Sequence, residues 1–198
     1  MQFTEQLIQT GMKRITATVI ILLITLAVMA QGQVPLTKEE KKILKKEQKK
    51  QAERLMTVNT SQALHSSQFI LKADQVRGRG GSMFNVNPRI NFVSVQGDEV
   101  YVQLGSDTGI GYNGVGGVTL KGKVTQYTIE QDKKNGNYYI QMNTLGTGGG
   151  LTISMHVNVT GDMADAVVQT NWGSRVDFMG KVVPSGRLQV YRGTESYK

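Results

Sequence analysis

The sequence contains no cysteine, only two histidines and only three prolines among its 198 residues. Without cysteine the chain has neither a disulfide framework nor the lipid-attachment residue of a bacterial lipoprotein. The two histidines, His65 and His156, cannot build a metal-ligand cluster, and no thiol is present to act as a nucleophile. These absences predict a protein without metal, cofactor or catalytic residues, and therefore not an enzyme.

Long apolar runs are scarce as well. The longest is the uncharged stretch of residues 15–30, which contains three threonines and follows Lys13 and Arg14. Sixteen residues fall short of the roughly 20 that span a bilayer. A basic start, an apolar stretch and small residues before Gln31 are typical of a signal peptide cleaved between Ala30 and Gln31. We therefore expect an exported protein, periplasmic or associated with the outer membrane, with no stable membrane span after cleavage.

The net charge of +8 is concentrated near the start of the chain. Residues 35–56 contain eight lysines and arginines against four glutamates, whereas the remainder after them is near neutral. Thr37 precedes Glu40 by three residues, a capping-box pattern, and the segment that follows lacks glycine and proline. The sequence predicts a charged helix, interrupted near Asn59 and Thr60, that serves as a spacer or docking element.

From Phe69 onward the apolar residues alternate with polar ones. The clearest run is residues 151–159, and similar runs cover residues 99–104 and 138–143. A change of phase near Gln126 predicts a bulge. Residues 96–98, 132–136 and 161–162 are hairpin turns by composition, and no crossover helix separates the strands. The pattern predicts an all-β fold, an antiparallel sandwich or flattened barrel of about eight to nine strands, and leaves the type of closure open.

These patterns divide the chain into a signal peptide (1–30), a charged helical leader (31–66) and an antiparallel β domain (67–198). The β domain has two loops that could contact a ligand or partner. The glycine-rich residues 109–117 lack the lysine and the following helix of a phosphate-binding loop, so only Tyr112 and Asn113 are retained as candidate contacts. Arg77 and Arg79 flank a glycine and could hold an acidic group, although a solvated hairpin tip is the simpler interpretation.

Other chemistry has weak support in the sequence. Four aspartates, Asp107, Asp162, Asp165 and Asp177, could converge into a carboxylate pair, but nothing in the sequence requires it. Nucleic acid is not an expected partner, because no aromatic and basic residues alternate and export removes the usual nucleic acids. The single tryptophan, Trp172, has no role that the sequence defines.

Several segments together resemble an exported bacterial family, domain-of-unknown-function family 4251. They are the signal peptide, the charged Leu-Thr-Lys-Glu-Glu-Lys-Lys leader, residues 69–74 and 91–95, and residues 114–119, which with Asn113 include an Asn-Gly-Val-Gly-Gly segment. The resemblance covers most of residues 36–192. It implies a Gram-negative envelope setting and an all-β domain, and it carries no assigned activity or catalytic residues.

The expected function is therefore binding. We expect a non-enzymatic envelope module for a small apolar ligand or a protein partner. A purely structural envelope protein is the alternative, and a hydrolase based on hidden carboxylates is a distant third.

Overall fold

The computed structural model describes residues 37–78, 80–106, 115–146, 149–187 and 190–196, so the predicted signal peptide lies outside the described part. The described residues divide into two compact units, one that ends at residue 48 and one that begins at residue 49. The described residues form one α-helix, nine β-strands and a 3-10 helix at Ser185–Arg187. These elements are α1 (Lys38–His65), β1 (Gln68–Arg77), β2 (Met83–Asn85), β3 (Phe92–Gln96), β4 (Glu99–Leu104), β5 (Val118–Gln131), β6 (Tyr138–Gly146), β7 (Gly149–Val157), β8 (Ala164–Thr170) and β9 (Arg175–Pro184).

Helix α1 begins with a reciprocal pair of hydrogen bonds. The Thr37 N–H donates to the Glu40 carboxylate over 2.8 Å, and the Glu40 N–H donates to Thr37 Oγ1 over 3.2 Å. The helix then runs without interruption to His65, so the predicted break at Asn59 and Thr60 is wrong. The Thr60 hydroxyl donates to the Thr160 carbonyl over 2.9 Å. This contact with a distant turn satisfies the hydroxyl, which therefore does not compete for the helix backbone.

The strands alternate between buried and exposed side chains as the sequence predicts. Strand β6, for example, buries Tyr138, Ile140 and Met142 and exposes Tyr139 and Gln141. The predicted bulge in β5 is confirmed, because the register with β6 shifts between Val124 and Gln126. The bulge keeps the apolar residues on both sides of it facing the same core.

Eight of the strands close into an antiparallel barrel. Strands β3 to β9 pair in chain order, β3 also pairs with β1, and β9 returns to pair with β1 from Phe69↔Pro184 to Arg77↔Asp177. Strand β2 is an additional short strand that pairs with the end of β1 beyond β3. The sandwich alternative is thereby excluded, because the eight strands share one ladder that returns to its start.

The last turn of helix α1 covers one end of the barrel. Leu64 is fully buried in the hydrophobic core, and Ala63 is almost fully buried beside it. The Tyr127 hydroxyl donates to the Leu64 carbonyl over 2.7 Å, and burial raises the pKa of Tyr127 to about 12, so this donor stays protonated at neutral pH. The Gly161 carbonyl accepts from the Val182 N–H, which ties the turn beneath Thr60 to β9.

The C-terminal residues 190–196 lie against the outer face of β4 and β5. Their anchor is Gln103, whose side chain is fully buried although it points away from the core. Its amide donates to the carbonyls of Ile90 and Tyr191, and its Oε1 accepts from the Gly193 N–H over 2.8 Å and from the Thr119 hydroxyl. A buried amide with its hydrogen bonds satisfied on several segments holds the tail in one register.

The contribution of the last turn of helix α1 to stability can be measured by truncating Leu64. Leu64→Ala should lower the free energy of unfolding by about 2–5 kcal/mol, because it opens a cavity in the core beneath the helix. Leu55→Ala is the matched control on the same helix, where the side chain is exposed, and should change the free energy by no more than about 0.5 kcal/mol. Urea denaturation measures both. Equal losses for the two variants would contradict a sealing role for the last turn.

Candidate functional site: the barrel mouth

The end of the barrel away from helix α1 is called the mouth here. It is formed where β4, β8 and β1 end and where β5 and β9 begin. A cavity of about 220 Å³ lies at the mouth and touches β4, β5, β8 and β9. In the strand order, β4 and β5 lie opposite β8 and β9, with two other strands on each side. The cavity therefore lies inside the barrel, between opposite walls.

The walls of the cavity are apolar. The β4 and β5 wall presents Val102, Leu104, Val118 and Leu120. The opposite wall presents Val168, Val176 and Phe178. Val102, Val168 and Phe178 are buried and form the floor, whereas Leu104, Leu120 and Val176 are only half-buried. Half-buried apolar side chains around an internal space are what a bound apolar molecule would cover.

Trp172 lies at the rim of the cavity, in the turn between β8 and β9. The turn is held by the Ser174 N–H, which donates to Thr170 Oγ1 over 2.9 Å, and by the Thr170 N–H, which donates to the Ser174 carbonyl. The indole packs beside Gly149, where a Cβ would come within 2.8 Å of the ring and where φ is +90°. Glycine at this position therefore leaves room for the tryptophan, whose side chain remains 56% exposed.

An ion network lies on the outer wall at the same end. Asp177 is buried and accepts from Arg175 Nε over 2.8 Å and from Arg77 Nη2 over 2.6 Å. The hydrogen bond from Arg175, followed by that from Arg77, holds the pKa of the Asp177 carboxyl below its ordinary value despite burial. Arg77, which the sequence identified as a candidate contact in a solvated tip, is thus the last residue of β1 and is paired.

The remaining predicted residues are outside the described part of the chain. Arg79, Tyr112 and Asn113 are among them, as are Ala30 and Gln31 at the predicted cleavage position. Of the four candidate contacts, only Arg77 is among the described residues, and it lies beside the mouth.

A second concavity of about 740 Å³ lies on the outer side of the barrel and is lined by Asp74, Asp162, Asp165 and Asp177. Three of the four aspartates that the sequence singled out therefore line this concavity, and Asp107 is outside the described residues. Asp162 accepts from Thr160 and Asn158, and these hydrogen bonds lower the pKa of its carboxyl. Asp177 is held by two arginines. Both carboxyls are thus held ionised, which suits structural acceptors better than a general acid.

The histidines are separate from each other and have local partners. The His156 ring stacks on Tyr139 with 4.9 Å between centroids, and its Nδ1 lies 3.5 Å from Asp165 Oδ1. His65 Nδ1 lies 2.8 Å from the Ser61 carbonyl, within helix α1. In the described part of the chain, no group of three or more histidines, aspartates or glutamates is arranged to hold a metal ion.

Sequence reasoning predicted which residues of β4 and of the first part of β5 face inward, but it did not predict the cavity between them and the opposite wall. Val102 and Leu104 are in the predicted apolar phase, and so are Val118 and Leu120. Their pairing with Val168 and Phe178 across an internal space follows from barrel closure, which has no local signal. Trp172 was missed because a single aromatic residue in a turn has no periodicity.

Comparison with known proteins identifies the class to which this architecture belongs. Residues 46–182 match a domain of unknown function, DUF4251, and the chain belongs to that family. The fold is similar to the crystal structure of a DUF4251 family protein from Bacteroides eggerthii DSM 20697, with a TM-score of 0.58 and 28% sequence identity. The match covers 69% of this chain and 92% of that one. Among curated proteins nothing matches.

No helix within the described residues is both long enough and apolar enough to cross a membrane.

The ion network beside the mouth has a testable pH dependence. The lowered pKa of Asp177 means that its stabilising contribution is complete above the ordinary aspartate pKa of about 4 and is lost as the pH falls through the folded-state value. Asp177→Asn should therefore cost about 1–2 kcal/mol at neutral pH, and the difference from wild type should shrink in acid.

The matched control is Asp98→Asn. Asp98 pairs with Lys123 on the surface, where both side chains are exposed, so the expected change is within about 0.5 kcal/mol. Urea denaturation across the acid range measures both variants. Parallel stability curves for Asp177→Asn and wild type would contradict the assignment.

Proposed function

We propose that the protein is an exported, non-enzymatic binding module whose barrel mouth holds a small apolar molecule. The observation that carries the proposal is the internal cavity of about 220 Å³, which has apolar walls and a tryptophan at its rim. Ligand sites in β-barrels are usually found at the mouth, where the interior is not filled by side chains. The helix end offers no such space, since Leu64, Phe69 and Tyr138 are buried there.

The size of the cavity limits the ligand. Sites for drug-sized molecules measure roughly 300–1,000 Å³. The smaller space here favours one aliphatic chain or one ring. Thr170 and Ser174 are the hydroxyl-bearing residues on its lining, and they bracket the turn that carries Trp172. A ligand with an apolar body and an uncharged polar end therefore fits better than a charged one.

The choice of binding over catalysis rests on the outer concavity. Two of the four aspartates on its lining are Asp162 and Asp177, and hydrogen bonds lower the pKa of both carboxyls. A glycosidase-type reaction needs one carboxyl with a raised pKa as its acid. The apolar mouth also favours a ligand-binding role over a purely structural one, since a structural barrel would gain stability by filling the space.

Export is part of the proposal and has its own test. Lys13 and Arg14 followed by the uncharged residues 15–30 support a cleaved signal peptide and an envelope location. Expression of the full gene product should yield a processed chain that begins at Gln31 and is released by osmotic shock. N-terminal sequencing of the released protein measures this. An intact N-terminus in the cell extract would contradict export.

The mouth can be tested with linear primary alcohols from hexanol to tetradecanol. Trp172 is the only tryptophan and lies at the cavity rim, so its emission should respond saturably to binding. Each added methylene should strengthen binding by about four-fold, because burying one contributes ~0.8 kcal/mol, until the cavity is full. The chain length at which affinity stops rising measures the depth of the site.

A cavity-filling variant provides the control for this experiment. Val176→Phe places a ring in the cavity from a half-buried position and should abolish the response to alcohols while the barrel stays folded. Val58→Phe makes the same change at an exposed site on helix α1 and should bind like the wild type. Alcohol binding that survives in Val176→Phe, or no saturable response in the wild type, would reject the mouth as the site.

A further inference from the structure

Exposed apolar side chains surround the mouth. Met83 and Phe84 lie on β2, which continues the wall beyond β3, and Val118 and Trp172 lie at the cavity rim. All four are at least 38% exposed. Phe84 pairs with the core-facing Val76 and so shares the inner side of that wall. A cluster of large exposed apolar groups at one end of a barrel indicates an interaction surface.

Charged side chains are distributed differently from the exposed apolar side chains. Among the described residues that form the mouth, the segments 80–86, 102–106, 115–120, 149–152 and 168–174 contain no charged residue. At the helix end, the turns contain Asp98, Asp132, Lys133, Lys134 and Asp162. Among the described residues, the charged side chains nearest the mouth are Arg77, Arg175 and Asp177, which lie on its outer wall and are tied to one another, and Arg89, which lies in the exposed segment before β3. In the described part of the chain, the rim segments of the mouth are therefore apolar and uncharged, while the turns at the helix end carry several charges.

We propose that the mouth docks on a lipid bilayer surface, with Met83, Phe84 and Trp172 inserted among the lipid headgroups. Tryptophan and phenylalanine are the residues that proteins place at this depth. Arg77 and Arg175 remain about half exposed in their side chains and lie at the level where lipid phosphates would meet them. The cavity mouth would then face the acyl region directly.

A lipid surface fits this end better than a protein partner does. The apolar rim surrounds the mouth of the cavity, so a protein docked there would cover the site that the proposed function uses. A bilayer would instead supply apolar molecules without exposing them to water. The purpose of the docking rests on the proposed binding function, but docking itself can be tested separately from ligand binding.

The experiment uses the processed protein recovered from the envelope and phosphatidylcholine vesicles. Co-flotation measures binding, and quenching of Trp172 by bromine-labelled lipid reports whether the mouth is the part that inserts. We expect co-flotation, a blue shift of the tryptophan emission and strong quenching. Because the contact is mainly apolar, high salt should change the binding by less than about two-fold. Binding through the basic helix would instead fall steeply with salt and leave Trp172 unquenched, and would overturn the proposal.

The rim variant is Met83→Ser with Phe84→Ser, neither of which lines the cavity. It should weaken vesicle partitioning by at least about ten-fold, because two large apolar side chains no longer leave water. The matched control is Met163→Ser with Leu55→Ser. Met163 lies on a turn at the helix end and Leu55 lies on helix α1, and both side chains are at least as exposed as those of Met83 and Phe84. The control should bind vesicles like the wild type. Equal weakening in the two double variants would overturn the proposal.

Two further measurements separate docking from ligand binding. The rim variant should still bind alcohols like the wild type, which also shows that it is folded. Val176→Phe, whose cavity is filled, should still bind vesicles and be quenched. If the wild type binds vesicles through Trp172 but binds no alcohol, the proposed ligand function fails and the docking stands. If alcohols bind but vesicles do not, the docking is overturned alone.

Discussion

The pairing of β1 with β9 is the interaction on which the rest of the structure depends. It joins Phe69 to Pro184 and Arg77 to Asp177, and so closes eight strands into a barrel. At its centre β1 bulges between Ala73 and Gln75, and β9 approaches so closely that a Cβ on Gly180 would lie 1.9 Å from the Lys72 carbonyl. Only glycine fits there without displacing the backbone, so closure depends on one residue without a side chain.

Closure produces an interior with two different ends. At the helix end, Leu64 from α1 completes a core in which Phe69, Met142 and Ile153 have no exposed surface. At the mouth, the walls carry smaller or half-buried side chains, and an apolar space remains between them. The same ladder of hydrogen bonds therefore supports a packed region, which supplies stability, and an unfilled region, which is available for binding.

The outer surface follows the same division. Ionised carboxylates with structural hydrogen bonds are grouped around the outer concavity, where Asp162 and Asp177 have lowered pKa values. The described rim segments 80–86, 102–106, 115–120, 149–152 and 168–174 are uncharged, and Arg77, Arg89 and Arg175 lie just outside them. An apolar cavity with an apolar rim suits an apolar ligand that enters from a lipid bilayer rather than from water.

The sequence by itself determined the local elements: the capped start of helix α1 at Thr37, the alternating strands, the hairpin turns and the bulge near Gln126. Each depends on neighbours within a few residues, so its signal is present in a short stretch of chain. Tertiary structure alone decided the barrel over the sandwich, the unbroken helix at Thr60 and the cavity between Val102 and Phe178. These features depend on contacts between residues about 75 to 115 positions apart in the chain. Because loop closure joins such residues only in the folded state, no local periodicity encodes which of them will meet.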